Sequence, residues 1–209
     1  TWGRAMHEFV EQLAKDERLR SLSFQNVKVV PFLGTPGAIQ SDSWNTTTYS
    51  NTLATKVGNL LHCASYNLSA PMYVEGTKEK ELIESIDEIA KVLHMAETAD
   101  IALIGIGSMQ DDSSIIKAEI RTKEEYKELV RKGAVGEIVG RIYDKNGQTV
   151  DEDLKRKMVG ISLDKIAKIP VRVGMSYGKD KIEAIKGAIA GGLVNVLVTD
   201  VPTAELLLK

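Results

Sequence analysis

The chain has a single cysteine, Cys63, in 209 residues, so no disulfide can close within it, and a reducing compartment such as the cytoplasm is expected. No uninterrupted apolar run reaches the ~18 residues of a membrane helix, and no membrane span is expected. Neither sign of charge dominates. Lys and Arg number 27 against 29 Asp and Glu, a formal net charge of -2. That balance excludes the broad basic surface by which a domain grips nucleic acid, so any DNA reading must come from outside these residues. Histidine is scarce as well: His7, His62 and His94 are the only three. No His, Cys and carboxylate group has metal-ligand spacing, and neither a metal nor a cofactor is expected. There is no internal repeat, no low-complexity segment and no signal-peptide pattern. Thr1-Trp2-Gly3-Arg4 reads like the middle of a loop, which suggests a piece of something longer.

What remains is ordinary for a soluble globular protein: 43% of the residues are hydrophobic and 27% charged, enough for one sizeable core. Strand-like and helix-like patterns alternate along it. Residues 5–14 have helical spacing, with Met6, Phe9, Val10 and Leu13 on one side. Residues 27–33 read as a strand, followed by the loop Gly34-Thr35-Pro36-Gly37 and a polar stretch from Gln40 to Asn51. A helix then carries Leu53, Val57, Leu60 and Leu61. Residues 78–93 form the next helical stripe, and Ile101-Ala102-Leu103-Ile104 is an apolar strand buried on both faces, as in a parallel sheet. Residues 133–143 read as one strand, with a tight hairpin turn at Asn146-Gly147. Strand 170–174, helix 180–190, strand 194–198 and a last helix from Pro202 complete the chain. The pattern predicts an open, doubly wound, mostly parallel α/β sheet with an antiparallel ribbon inserted.

Such sheets bind ligands beyond the carboxyl ends of their strands. The loops at 1–4, 34–45, 105–114 and 174–181 share that rim, and all are rich in Gly, Ser, Thr or Asn. Exposed N–H groups there suit an anionic small molecule.

One rim segment, Gly174-Met175-Ser176-Tyr177-Gly178, matches the nucleophile elbow of serine hydrolases. That elbow requires a histidine after the serine. All three histidines precede Ser176, so the serine is read as a small residue in a turn on the rim. Lys181 is more informative. It is predicted in the first helical turn after an Asp180 N-cap, where a cation opposes the helix dipole by roughly 0.3–1 kcal/mol. A local rule broken without local gain tends to mark a site. Glu137 breaks another rule, because it lies in an apolar stretch between Val135 and Val139. Its carboxylate could accept paired sugar hydroxyls, act as a general base, or simply pair with Arg141.

At these residues an ordered set of motifs appears. Gly133-Ala134-Val135-Gly136-Glu137-Ile138 comes first, then Ile142-Tyr143-Asp144 with Gly147, then Ile169-Pro170-Val171-Arg172-Val173-Gly174. Lys181-x-Glu183-Ala184-Ile185 and the run Gly191 to Asp200 follow. Together they resemble the sugar-binding, effector-sensing domain of SorC-family bacterial transcriptional regulators. The resemblance covers nearly the whole chain and is loosest between 34 and 60. It implies a fold similar to sugar-phosphate isomerases and aminosugar-phosphate deaminases, used for binding without turnover. It implies a sugar or sugar-phosphate effector, a homodimer or homotetramer, and operator DNA contacted only through a helix-turn-helix domain absent from this chain. The helices at 78–93 and 201–208 offer interface surface.

By the same resemblance the phosphate would meet Thr1, Trp2, Gly3 and Arg4 together with Gly34 and Thr35. The sugar hydroxyls would meet Glu137 and the polar segment around Asn45, with Lys181 in the same pocket and Gly107, Ser108 and Ser176 on its rim. The chain departs from the family at Leu33, where some relatives carry a basic side chain, and at Tyr177, where a glycine is usual. Both departures point away from the usual effector, toward a different sugar or an unphosphorylated or differently oriented polyol. The alternative reading is an isomerase or deaminase of the same fold, with Glu137 as base and Lys181 as cation. Against it, the matching loops lack a histidine or second acid for a proton relay, and Asp111-Asp112 are the nearest substitutes.

Overall fold

The computed structural model describes residues 1–36, 46–111 and 113–209. Met6 and Val10 bury one side of α1 (Arg4–Leu13), as their spacing predicts. β1 (Lys28–Val29) is shorter than the strand expected over 27–33. Pro31 has no N–H to continue a ladder. Beyond it the described residues 32–36 pair through single bridges, Leu33 with Gly160 and Thr35 with Pro71. α2 (Ser50–Leu60) packs Leu53 and Val57 against Met6 and Val10, and β2 (Ala64–Ser65) runs parallel to β1.

The stripe at 78–93 forms two helices instead of one. α3 (Thr77–Glu84) stops before Ile86, whose extended backbone precedes α4 (Asp87–Glu97). Ser85 Oγ donates to the Leu82 carbonyl at 2.7 Å, and Asp87 and Glu88 occupy the first turn of α4, where the helix dipole favours them. The break leaves Leu82 and Ile86 exposed.

β3 (Ile101–Gly105) is followed directly by β4 (Gly107–Ser108). α5 (Ser114–Lys117) and α6 (Lys123–Arg131) lead to a hairpin of β5 (Ala134–Ile138) and β6 (Arg141–Asp144). Then come α7 (Glu152–Lys157), α8 (Leu163–Ile166), β7 (Val171–Met175), α9 (Ile182–Ala190), β8 (Val196–Val198) and α10 (Val201–Leu207). Strands β3, β7 and β8 form a parallel sheet in that order, and β4, β5 and β6 form an antiparallel one. The mixed α/β class and the antiparallel ribbon follow the sequence pattern. The single open sheet does not, because the described strands divide into three sheets. Both faces of β3 are covered: Ala102 and Ile104 enter the main core, and Leu103 packs on the cluster around Met6 and Val10.

The ribbon turns earlier than expected. Ile138 pairs with Arg141, so the hairpin loop is Val139-Gly140, not Asn146-Gly147. Both loop residues have positive φ, 53° and 68°, as a twist-matched two-residue turn requires. Valine is strained there, yet Val139 is buried. Asn146-Gly147 closes a second small turn that presses on the end of α9. A Cβ on Gly147 would lie 2.5 Å from Gly191 Cα, and one on Gly191 would lie 2.5 Å from Gly147 Cα.

Candidate functional site

Beyond the carboxyl end of β3, the first residues of the chain fold across the sheet. Thr1 Oγ1 accepts from the Gly105 N–H at 3.1 Å, and Gly3 N–H donates to the Thr48 carbonyl at 3.1 Å. Trp2 is thereby buried, and its indole Nε1 donates to Glu137 Oε1 at 3.3 Å. The backbone N–H of Gly140, at the hairpin tip, donates to the same oxygen. Glu137 is 6% exposed. Burial raises its pKa above the usual carboxylate value, while the bonds from Gly140 and Trp2 and the charges of Lys181 and Arg141 oppose that rise.

Glu137 stands opposite Gly107 in the β4–β5 pairing. A Cβ on Gly107 would lie 2.8 Å from Glu137 Oε2, so only glycine leaves the carboxylate its place. Gly107→Ala is therefore expected to cost about 1–3 kcal/mol of stability through overpacking and to weaken ligand binding by displacing Glu137. Denaturant melts and ligand titrations of that variant check both effects.

Ser108, the next residue, is also buried. Its Oγ accepts from Lys181 Nζ at 2.9 Å and donates to Asp180 Oδ2 at 3.4 Å. Asp180 is not the N-cap of α9 that the pattern predicts. Gly178, with φ 102°, starts a 3₁₀ turn over Lys179–Lys181, which moves the start of α9 onward and makes Lys181 its N-cap residue. That position aims the ammonium at Ser108.

The structure thus joins Trp2, Gly107, Ser108, Glu137 and Lys181 in one polar cluster. Gly34 and Thr35 are not part of these hydrogen bonds. Gly34 N–H donates to the Val159 carbonyl and Thr35 N–H to the Ala70 carbonyl, so neither amide is idle. Thr35 Oγ1 accepts from Asn51 Nδ2 at 2.8 Å, at the edge of an open hollow of about 520 Å³. Asn51, Thr55, Lys56, Asn67 and Ser69 also line that hollow. In the sequence Asn51 marks only the end of a polar stretch. Its amide bonds both the N–H and the carbonyl of Leu68, a role that no local pattern announces.

Ser176 is 3% exposed and donates its hydroxyl to the Ile106 carbonyl at 3.1 Å, so it is tied inside the fold and is not poised to attack. Tyr177 is 61% exposed at the rim. Arg4 opens α1 on the surface, Asp111 is exposed, and Asn45 and Asp112 lie outside the described residues. Among the described residues, no group of three or more His, Cys, Asp or Glu could hold a metal.

The pH dependence of stability carries a signature of the buried carboxyl. Glu137 has a raised folded-state pKa, so the folded chain keeps this proton where the unfolded chain has lost it. Its contribution is full below the usual carboxylate value and is lost as pH rises through the folded value. Glu137→Gln is expected to flatten this decline, measured as Tm against pH from the usual carboxylate range upward.

The buried carboxylate and the lysine lie beyond the carboxyl ends of parallel strands, the edge at which α/β sheets take their ligands. A family model described as "Putative sugar-binding domain" matches residues 1–209, and the chain belongs to that family. It is 35% identical over 159 residues to the transcriptional regulator LsrR of Escherichia coli O9:H4 (strain HS), covering 74% of this chain and 50% of that protein. The chain spans about half the length of the curated relatives it matches. The full-length sorbitol operon regulator SorC from Klebsiella pneumoniae superposes with a TM-score of 0.85 at 29% identity, covering 100% of this chain and 65% of that one. A DeoR family transcriptional regulator from Listeria monocytogenes gives 0.84 at 25% identity over 99% and 76%. The expectation of a SorC-type sugar-binding regulatory domain, and not an enzyme, agrees with these relatives. No helix among the described residues is long and apolar enough to cross a membrane.

Proposed function

We propose that this chain is the effector-sensing part of a sugar-operon transcriptional regulator, and that it binds a sugar or polyol, phosphorylated or not, without turning it over. The observation that carries this reading is the buried cluster in which Trp2 and Gly140 hold Glu137 and Ser108 holds Lys181. Glu137 accepts from sugar hydroxyls, and Lys181 donates to a hydroxyl or an anionic oxygen. The fold is that of sugar-phosphate isomerases and aminosugar-phosphate deaminases, used for recognition. Residues 1–209 act as one effector domain in the cytoplasm, within a protein whose helix-turn-helix part lies outside this chain. Effector binding alters the dimer or tetramer and so the affinity for operator DNA.

A thermal-shift screen against sugar phosphates, polyol phosphates and free sugars tests this reading. A ligand at 100 times its Kd adds ~2.7 kcal/mol of stability, an easily read shift. A saturable shift with at least one sugar, and no interconversion of it in a coupled assay, is the expected result. A blank across the panel, or measurable turnover, would count against it.

A further inference from the structure

Glu137 and Lys181 belong to different elements, β5 and the start of α9, so their separation depends on how that helix lies on the hairpin. Tyr143, on β6, stands at the junction. It is fully buried and pairs with Gly136, the residue before Glu137. Its ring fills the room beside Gly136: a Cβ there would lie 2.6 Å from Tyr143 Cζ and 2.8 Å from Ala184 Cβ. The hydroxyl crosses to α9 and donates to the Ala184 carbonyl at 2.8 Å. Ala184 is three residues past Lys181, one turn along the same side of the helix. Gly187 closes on the hairpin too, since a Cβ on it would lie 2.8 Å from the Asp144 carbonyl oxygen.

A carbonyl inside a helix already accepts from the N–H four residues on. The Tyr143 bond is an addition to that ladder, and its loss orphans no buried acceptor. What it fixes is where the helix lies. Ser108 holds the Lys181 ammonium at its tip, and Tyr143 holds the backbone from which that side chain extends. Burial and the charge of Glu137 both raise the Tyr143 pKa well above the usual phenol value, so the hydroxyl stays a donor through the neutral range.

We infer that Tyr143 is a positioning residue of the site: its hydroxyl clamps the first turn of α9 to the hairpin and sets the distance between Lys181 and Glu137, and with it the spacing of ligand groups that the pair can bridge. The use of the clamp rests on the sugar-binding reading above, whereas the clamp itself is testable without a ligand.

The readout is the titration of the Glu137 carboxyl, followed by carbon NMR on the whole chain labelled at glutamate and assigned with Glu137→Gln. The groups facing this carboxyl are the Trp2 indole, the Gly140 N–H and the charges of Lys181 and Arg141, with Asp180 facing Lys181 in turn. Lys181 favours the ionised form, so Lys181→Ala is expected to raise the midpoint in the parent. Tyr143→Phe keeps the ring, and its Tm should stay within about 6 °C of the parent, the value of one hydrogen bond in a chain of this size. It is expected to raise the Glu137 midpoint by letting Lys181 recede. In its background Lys181→Ala should then raise the midpoint by only about half as much or less. A full-size effect of Lys181→Ala in the phenylalanine variant would show that the hydroxyl sets no distance, and the inference is overturned. No effect of Lys181→Ala in the parent overturns it too, because the pair would not act together. So does a phenylalanine variant that no longer melts cooperatively, since the bond would be a folding contact. None of these results touches the sugar-binding reading, which the ligand screen decides by itself.

Discussion

Replacing Arg121 with alanine is expected to destabilise the chain by about 3–5 kcal/mol. Arg121 and Asp151 are 9% and 7% exposed, and Nε and Nη2 meet the two carboxylate oxygens at 2.9 and 3.1 Å. Nη2 also reaches Asp153 at 3.0 Å. Burial works against the guanidinium's charge, yet the bonds and charge of Asp151 together with the bonds to Asp153 and Tyr73 outweigh it and raise its pKa. Without arginine, Asp151 would be a buried carboxylate still capping the Leu154 N–H of α7 at 2.9 Å. At about 2–4 °C per kcal/mol for a chain of this size, Tm should fall by about 6–20 °C. Adding Asp151→Asn should recover part of the loss, since no unpaired ion then remains. A single variant melting within about 2 °C of the parent would mean that the pair is solvated and not buried.

The second large effect concerns binding. Lys181→Ala is expected to weaken the effector found in the screen by about ten- to a hundred-fold, the value of a hydrogen bond to a charged group. Glu137→Ala should do the same, while the unliganded Tm of the lysine variant stays near the parent. Isothermal titration reads both. Parent-like affinity in both variants would remove the cluster from the site, whatever the ligand proves to be.

Glu137 and Lys181 were legible because each offends its local pattern: a carboxylate in an apolar strand, and a cation at a helix start. The geometry between them was not. The hairpin at Val139-Gly140 hides behind a rule that makes valine an unlikely residue for positive φ. Asn-Gly a few residues later is the stronger turn signal, and it does form a turn, though not the hairpin. The backbone partners of the Arg141 guanidinium could not be read from its neighbours, since the Met158 and Gly160 carbonyls, each at 3.1 Å, meet it only through the fold. Period and propensity describe segments, whereas the site is made where segments cross. Pro31 shows the reverse case, a residue whose missing N–H is plain in the sequence and shortens the strand before it.

The contact between Gly147 and Gly191 has a consequence for how this sequence can vary. In a library sampling every position, both would be retained as glycine, for different reasons. Gly147 is held by its own torsion as well as by its neighbour, whereas Gly191, with an ordinary φ of -80°, is held by its neighbour alone. Shortening the turn at 145–148 should therefore release the second position and not the first. A descendant that lost this turn would be free to replace Gly191 as well.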